Sequence, residues 1–241
     1  MKKLHLIALI AILAVALWSP AASAAQVYFN DFETSVGDEW SSVLLSPLLI
    51  TTAPSSEKFL GTHATYGLSA NTVTLTLPSL SAHSSLTLDL DLYIIQSWDG
   101  NSPTVRAPGP DRFKLSIDGS TLLDTSFSNI TLPEGRQSYP GNYPSGDYPR
   151  QTNAAATNSL QYSGSMGGDA TYHLTYTVEH TAGSAAFDFQ AYGLGLQGVT
   201  DESWGLDNVR VDANPVPLPG TLLLLGSGLL GLAGWRRLRQ G

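Results

Sequence analysis

Residues 86–93 read LTLDLDLY, so that a leucine alternates with a polar residue or a tyrosine along the whole stretch. Successive side chains of a β-strand point to opposite faces. The stretch would therefore place four leucines on one face and Asp89 and Asp91, among others, on the opposite face. One buried face and one solvated face are typical of antiparallel sheets. The stretch predicts a half-buried strand of an antiparallel sheet.

The same period of two recurs along the central part of the chain, where no segment keeps a helical period. The other alternating runs are residues 72–77, 113–117, 171–178, 185–191 and 206–211. The dipeptide Asp118-Gly119 follows one of these runs and predicts a hairpin turn. Strands with one buried face have to stack against a second sheet. The sequence therefore predicts an all-β fold, an antiparallel β-sandwich of the jelly-roll type.

Both ends of the chain have the pattern of targeting segments. Residues 1–24 combine a basic MKK start, an apolar stretch and an ASA cleavage site, which predicts the helix of a signal peptide. Residues 214–241 contain a proline-rich hinge, an uncharged apolar stretch and an arginine cluster. We expect residues 221–235 to form a short transmembrane helix. The β-sandwich domain is then expected to span residues 25–213.

The C-terminal segment has its three parts in a fixed order. The hinge residues are Val216, Pro217, Leu218 and Pro219, and the basic residues are Arg236, Arg237 and Arg239. This order resembles the PEP-CTERM sorting signal of Gram-negative bacteria, in a variant with VPLP where VPEP is usual. The resemblance implies an exosortase-like processing enzyme, a transient anchor in the inner membrane and delivery to the cell surface or extracellular matrix. An ordinary single-span anchor, with its arginines on the cytoplasmic side, is the alternative.

The charge of the central domain excludes one class of partner. Seven basic residues stand against twenty acidic residues between the two targeting segments, so this domain has a formal charge of −13. Nucleic-acid binding requires a basic face, so no nucleic-acid partner is expected. The chain contains no cysteine, which excludes thiolate metal sites and disulfides. An acidic exported domain is compatible with a site for a hard cation such as calcium.

Residues 133–169 interrupt the strand pattern with a stretch rich in glycine, proline, serine and tyrosine. Three tyrosines in it, Tyr139, Tyr143 and Tyr148, each precede a proline. A long loop of this kind in a compact domain is usually either functional or disordered. Tyrosine rings on a loop can stack on sugars, so we consider these three residues as glycan-binding candidates. A variable surface loop without a ligand is the alternative, and in either case we expect the loop to be the segment most sensitive to proteases.

Acidic motifs near the two ends of the domain suggest a calcium site. Asp31 and Glu33 lie in the segment NDFE, and Asp207 lies in SWGLDNV. This pairing resembles jelly-roll modules related to MAM domains and to concanavalin A-like or galactose-binding-like folds. The resemblance implies that the first and last strands lie side by side and that the acids of both hold calcium. Alternatively, Asp31 and Asp207 accept hydrogen bonds from backbone amides in turns.

The segment SWDGN supplies a second candidate site. Asp99 and Asn101, with Asp111 across a proline-rich loop, have the spacing of a loop that could bind a hard cation. Trp98 beside them could provide a platform for a sugar ring. The simpler interpretation is a hairpin turn with a half-exposed tryptophan.

The carboxylates of Asp89 and Asp91 are the one pair that could indicate an enzyme, because glycoside hydrolases use two acids. A polar strand face explains the same pattern more simply. The leading hypothesis is an exported, non-catalytic β-sandwich that binds glycan, with calcium as its candidate cofactor. The rival is a secreted glycan-active hydrolase on the same fold. A groove beside Trp98 that contained the two carboxylates would favour the hydrolase, whereas a flat exposed face would favour binding or a structural role.

Overall fold

The computed structural model describes residues 23–43, 47–61, 68, 71–104, 107–163 and 167–216, together with residues 228, 231, 232, 234–236 and 239. The chain divides into two compact units, Ala25–Asn214 and the two ends of the chain. The first unit contains the following strands in chain order: β1 (Ala25–Asn30), β2 (Trp40–Ser42), β3 (Leu49–Thr52), β4 (Lys58–Gly61), β5 (Asn71–Leu77), β6 (Ser85–Gln96), β7 (Pro103–Thr104), β8 (Ala107–Pro108), β9 (Arg112–Ile117), β10 (Ser120–Ser126), β11 (Arg136–Gln137), β12 (Tyr148–Pro149), β13 (Ala156–Thr157), β14 (Gly168–Glu179), β15 (Ala185–Tyr192) and β16 (Glu202–Asn214).

Two antiparallel sheets form the domain. The larger sheet has the order β13-β14-β6-β16-β4-β3, with β1 also paired to β16, and the smaller sheet has the order β10-β9-β15-β5-β2. The chain passes repeatedly between the two sheets. It goes from β4 in the larger sheet to β5 in the smaller sheet, back to β6 and across again to β9. It later goes from β14 in the larger sheet to β15 in the smaller sheet and back to β16. This order of strands is that of a jelly roll. The predicted all-β sandwich is therefore confirmed.

The core lies between the two sheets, because the inward side chains of both belong to one apolar cluster. Leu86, Leu88, Leu90 and Leu92 of β6 are at most 1% exposed, as the alternation of residues 86–93 predicts. The sheets also meet through aromatic rings. Phe113 of β9 packs edge-on against Trp204 of β16, with ring centroids 5.3 Å apart. Burial of these apolar surfaces is the main source of stability for a domain without disulfides.

The connections of the sheets follow two of the sequence expectations. Asp118 and Gly119 have φ angles of 47° and 79° and link β9 to β10, as expected for the tight hairpin turn in which both central residues have positive φ. The first and last strands of the domain pair antiparallel, with Asn30 opposite Val209. The side-by-side terminal strands that the family resemblance implies are therefore present.

A second, smaller apolar cluster, which we call the outer cluster, covers part of the outer face of the large sheet. It contains Phe59, Tyr93, Ile95, Leu160 and Tyr162. Tyr93 and Ile95 belong to β6 and point away from the main core, because they alternate with its inward residues. Residues 160 and 162 lie in the long segment before β14. That segment therefore packs on the sheet and does not leave it as a free excursion.

The loop of residues 133–169 is more ordered than its composition indicates. Gln137 is fully buried, and its Oε1 accepts hydrogen bonds from the amide of Gln151 at 2.9 Å and the hydroxyl of Tyr172 at 3.1 Å. Asp169 accepts from the amides of Leu160 and Tyr162 at 2.9 and 3.0 Å. Of the two usual states of such a loop, functional or disordered, disorder does not apply to its described part, because buried polar side chains satisfy its backbone.

The second unit contains the C-terminal tail. Residues 228, 231, 232, 234–236 and 239 are helical, and the guanidinium of Arg239 lies 4.2 Å from the ring centroid of Trp235. Within the described part of the chain, no helix has the length and apolar character needed to cross a membrane. Most of the expected transmembrane helix, most of the expected signal peptide, and the residues Pro217, Leu218, Pro219 and Arg237 lie outside the described residues.

Candidate functional sites

Three acidic side chains meet at one end of the sandwich. Asp99 follows β6, Asp111 precedes β9 and Glu202 begins β16. One ligand oxygen from each lies within 4.8 Å of those of the other two, and the three residues are at most 4% exposed. We call Asp99, Asp111 and Glu202 the triacid cluster. Among the described residues, it is the one group of at least three acidic or histidine side chains whose ligand atoms lie close enough together to share a metal ion.

Backbone amides orient two of the three carboxylates and leave one oxygen of each free. Asp111 Oδ2 accepts a short hydrogen bond from the amide of Asp99, and Glu202 Oε2 accepts from the amide of Gln197 at 2.6 Å. The other oxygens, Asp111 Oδ1 and Glu202 Oε1, are buried and accept no hydrogen bond from any described residue. Buried polar atoms almost always have a partner, so each of these two oxygens requires an explanation.

The electrostatics of the triacid cluster are unfavourable when all three groups are charged. Burial raises the pKa of Asp99 to about 6, and the nearby Asp201 adds to the shift. Burial also raises the pKa values of Asp111 and Glu202, and the negative charges of neighbouring acids raise them further. Arg112, next to Asp111 in the chain, instead bonds Asp124 at 2.6 Å. Within the described residues, no lysine or arginine forms an ion pair with the cluster.

The structure gives Asp31, Glu33 and Asp207 separate partners. Asp31 accepts from the amide of Glu33 at 3.2 Å, and Glu33 pairs with Lys58 at 3.3 Å. Asp207 accepts from the amide of Asn208 at 2.7 Å. The three acids are not part of the acid group that lies at metal-binding distances. As in the alternative interpretation, Asp31 and Asp207 each accept a hydrogen bond from a nearby backbone amide, although Asn208 lies in strand β16 and not in a turn.

The second candidate site is formed in part. Asp99 and Asp111 come together as the sequence suggested. The third member of the group is Glu202, whereas the sequence had suggested Asn101. The side chain of Asn101 bonds Ser138 at 3.0 Å and the carbonyl of Gly146 at 3.0 Å. Glu202 was missed because it lies 91 positions after Asp111 and directly before the segment SWGLDNV, in which only Asp207 was singled out. Its proximity to the other two acids depends on the pairing of β16 with β6.

Trp98 is fully buried, so the expectation of a half-exposed ring and of a sugar platform is wrong. Its exposure is 0%, and its indole N–H donates to the carbonyl of Ser203 at 2.9 Å. The ring packs edge-on against Phe127, with centroids 6.5 Å apart. The apolar ring belongs to the core, and its single donor is satisfied by the last strand.

Asp89 and Asp91 lie on the outer face of the large sheet. His173 of the neighbouring strand β14 contacts both, with Nε2 3.1 Å from Asp89 and Nδ1 3.1 Å from Asp91. The hydroxyl of Thr175 donates to Asp89 at 3.1 Å. About a third and a fifth of the two aspartate side chains are exposed, at 34% and 22%. The contact between His173 and both acids raises the pKa of His173, with Asp91 as the largest cause.

The three loop tyrosines have different environments. Tyr139 is half-buried against the core, where its ring centroid lies 5.0 Å from that of Phe127. Tyr143 is half-buried against the guanidinium of Arg112 at 4.6 Å, and Tyr192 contacts the same guanidinium at 4.7 Å. Tyr148 is exposed at 39%. Tyr143 and Tyr148 thus keep surface that a ligand could contact, whereas Tyr139 contributes to packing.

Residues 215–239 match the PEP-CTERM protein-sorting motif. The motif begins directly after β16, which ends at Asn214. It indicates an exported, surface-directed protein and confirms the resemblance that the tail showed in sequence. No curated protein matches the chain significantly.

Several solved structures are similar to the chain at low identity. The cleaved adhesin domain of Lys-gingipain from Porphyromonas gingivalis has a TM-score of 0.40 at 14% identity, with 78% of this chain and 98% of that chain covered. A family GH115 4-O-methyl-α-glucuronidase has 0.37 at 14%, with 81% and 18% covered. The C-terminal carbohydrate-binding module of a laminarinase from Zobellia galactanivorans has 0.30 at 10%, with 78% and 92% covered. The chain spans only about a fifth of the glucuronidase, and likenesses this weak say nothing about ligand or activity.

Proposed function

We propose that this chain is an exported, non-catalytic glycan-binding protein, which its PEP-CTERM motif delivers to the cell surface or exopolysaccharide matrix of a Gram-negative bacterium. The observation that carries the proposal is the position of the motif. It begins at residue 215, one residue after the last strand of the sandwich. The whole folded domain therefore precedes the motif. An exosortase-like enzyme cutting at the hinge would release it intact from a transient anchor in the inner membrane.

A cluster around Arg112 offers the chemistry that sugars require. The guanidinium contacts the rings of both Tyr143 and Tyr192. Asp124 accepts hydrogen bonds from Arg112 and from the Tyr192 hydroxyl, each at 2.6 Å. The Arg112 and Asp124 side chains are 23% and 29% exposed. Aromatic rings stack on the apolar faces of sugars, while the charged groups bond their hydroxyls. The exposed ring of Tyr148 adds a second point of contact on the same loop.

The arrangement of Asp89 and Asp91 supports a non-catalytic role. Glycoside hydrolysis by two carboxyl groups requires a donor and a base or nucleophile that are both free to act across a bound sugar. Here one imidazole, that of His173, contacts both carboxylates. Both acids lie on a sheet face, and Trp98 is buried in the core. A secreted glycan-active hydrolase on the same fold is the alternative that the experiment has to exclude.

Co-sedimentation with insoluble polysaccharides, combined with an assay for reducing ends, tests the proposal. The probes are cellulose, xylan and the extracellular polysaccharide of the producing bacterium. We expect binding to at least one probe without release of reducing ends. Tyr143→Ala and Tyr148→Ala should each weaken binding roughly two- to tenfold. Phe29→Ala, which removes an exposed ring in β1, should leave binding unchanged. Absence of binding to all probes, or release of reducing ends, would contradict the proposal.

A further inference from the structure

We propose that Asp99, Asp111 and Glu202 bind a calcium ion that fastens three distant segments of the chain together at one end of the sandwich. Two observations carry the proposal independently of the glycan function. The first is geometric, because one oxygen from each carboxylate lies within 4.8 Å of the others. The second is the pair of buried oxygens, Asp111 Oδ1 and Glu202 Oε1, that accept no hydrogen bond among the described residues.

The orientation of the carboxylates fits ligands that are held in position. Amides of Asp99 and Gln197 bond the second oxygen of Asp111 and Glu202, respectively. Each bond fixes one carboxylate and leaves its other oxygen for the cation. Outer hydrogen bonds of this kind orient the ligands of metal sites.

The ligand chemistry selects a hard cation. All three side chains offer oxygen, neither histidine nor cysteine joins the group, and the chain contains no cysteine. Oxygen-only ligand sets favour calcium or magnesium over zinc and copper. Calcium accepts six to eight oxygens in irregular geometry, whereas magnesium demands a near-ideal octahedron and keeps its waters. Three carboxylates from separate segments, two of them held by backbone amides, are better suited to calcium.

Charge gives the ion a clear effect on folding. Three buried carboxylates with oxygens this close together repel one another when no cation lies between them. A bound divalent cation reverses this interaction. The segments that it joins also contact the long loop, because the amide of Asn101 donates to the carbonyl of Arg136 at 2.7 Å. Calcium would therefore stabilise the connections at this end of the sandwich.

Thermal unfolding of the full chain, purified in detergent and stripped with EDTA, tests the site. At calcium about a hundredfold above the dissociation constant, we expect the Tm to rise by roughly 5–10 °C over the EDTA sample. Glu202→Gln should abolish this rise and should melt at or above the wild-type temperature in EDTA, because it removes an unpaired buried charge. Asp207→Asn is the matched control, since it neutralises another buried carboxylate outside the cluster, and it should keep the full calcium response.

Terbium emission provides a second readout that does not depend on the variants. Trp98 is adjacent to Asp99 and bonds the residue after Glu202, so its excitation should sensitise terbium in the site, and excess calcium should quench the emission.

Asp111→Asn replaces Glu202→Gln if the latter does not fold. An equal Tm in calcium and EDTA, a calcium response that persists in Glu202→Gln, or wild-type protein without terbium emission would each overturn the proposal. A response lost in Asp207→Asn but retained in Glu202→Gln would also overturn it.

Discussion

The hydroxyl of Tyr93 donates a hydrogen bond of 2.9 Å to Oδ2 of Asp207 on the outer face of the large sheet. This contact joins the two central strands of that sheet, β6 and β16, through their side chains as well as their backbones. Asp207 is only 2% exposed. Burial raises the pKa of Asp207 to about 7, and the nearby Glu57 and Asp91 add to the shift.

The raised pKa of Asp207 predicts a specific dependence of stability on pH. The carboxyl takes up its proton at about pH 7 in the folded chain but near its ordinary value of 3.8 in the unfolded chain. Between these values only the folded state holds the proton, so stability falls as pH rises from about 4 to about 7 and is level above that. Asp207→Asn should remove this contribution and gain up to roughly 4 kcal/mol relative to wild type at about pH 8.

Urea unfolding in EDTA at about pH 5 and about pH 8 measures the effect. Other buried acids contribute a slope of their own, so the informative quantity is the difference between wild type and variant. Parallel pH profiles for the two proteins would show that the Asp207 carboxyl has an ordinary pKa.

The close approach of Gly205 to Phe59 predicts a strong effect of one methyl group. A Cβ at residue 205 would lie 2.2 Å from Cδ2 and 2.5 Å from Cε2 of the Phe59 ring. The ring is fully buried and packs edge-on against Tyr93, so it cannot move without disturbing the outer cluster. Gly205→Ala should destabilise the domain by about 1–3 kcal/mol in urea unfolding.

Gly183→Ala is the control for Gly205→Ala, because nothing lies within 4 Å of the added methyl group. It should change stability by less than about 0.5 kcal/mol. Equal effects of the two substitutions would mean that the outer cluster has room at residue 205.

The buried amide of Gln137 predicts how the long loop is held. Replacement by alanine leaves the amide of Gln151 and the hydroxyl of Tyr172 without their shared acceptor, and the carbonyls of Tyr139 and Thr152 without a donor. Unpaired buried polar groups cost about 1–3 kcal/mol each. Gln137→Ala should therefore destabilise the domain by at least about 2 kcal/mol and open the loop to proteases.

Limited proteolysis followed by mass spectrometry of the fragments locates the change. The sequence predicted that this loop would be the segment most sensitive to proteases. Because buried hydrogen bonds hold it, we now expect slow wild-type cleavage within residues 133–163, and Gln137→Ala should be cut there first. Gln26→Ala, an exposed position in β1, should retain the wild-type pattern. Rapid cleavage of the wild-type loop would show that the hydrogen bonds of Gln137 do not hold it.

Regular alternation made most of the fold predictable from sequence. The runs around residues 72–77, 86–93, 113–117, 171–178 and 185–191 all lie in strands, because each has one face in the common core. The short strands β11, β12 and β13 were missed because two-residue pairings leave no periodic pattern. The order of the long loop was also missed, because it depends on a single buried glutamine contacting segments distant in sequence.

The candidate sites were less predictable for a related reason. Glu33 was assigned to a shared cation site, but its carboxylate pairs with Lys58, a contact that depends on where β4 lies. Trp98 lies in a segment typical of an exposed turn, yet its ring is buried against Phe127 and its indole N–H bonds Ser203 of β16. Glu202 joins Asp99 and Asp111 only through strand pairing. Sequence alternation predicts which face of a strand is buried, but it does not predict which strand ends meet.

Delivery by the C-terminal motif is the claim on which the proposed function depends most, and the state of the C-terminus in the producing bacterium tests it directly. Mass spectrometry of the protein recovered from the envelope and the medium should find peptides from the sandwich domain and none that extend past residue 221. A variant with Pro217→Ala and Pro219→Ala should accumulate uncut in the inner membrane. Protein that reaches the surface or the medium with the arginines at residues 236, 237 and 239 still attached would contradict delivery by processing.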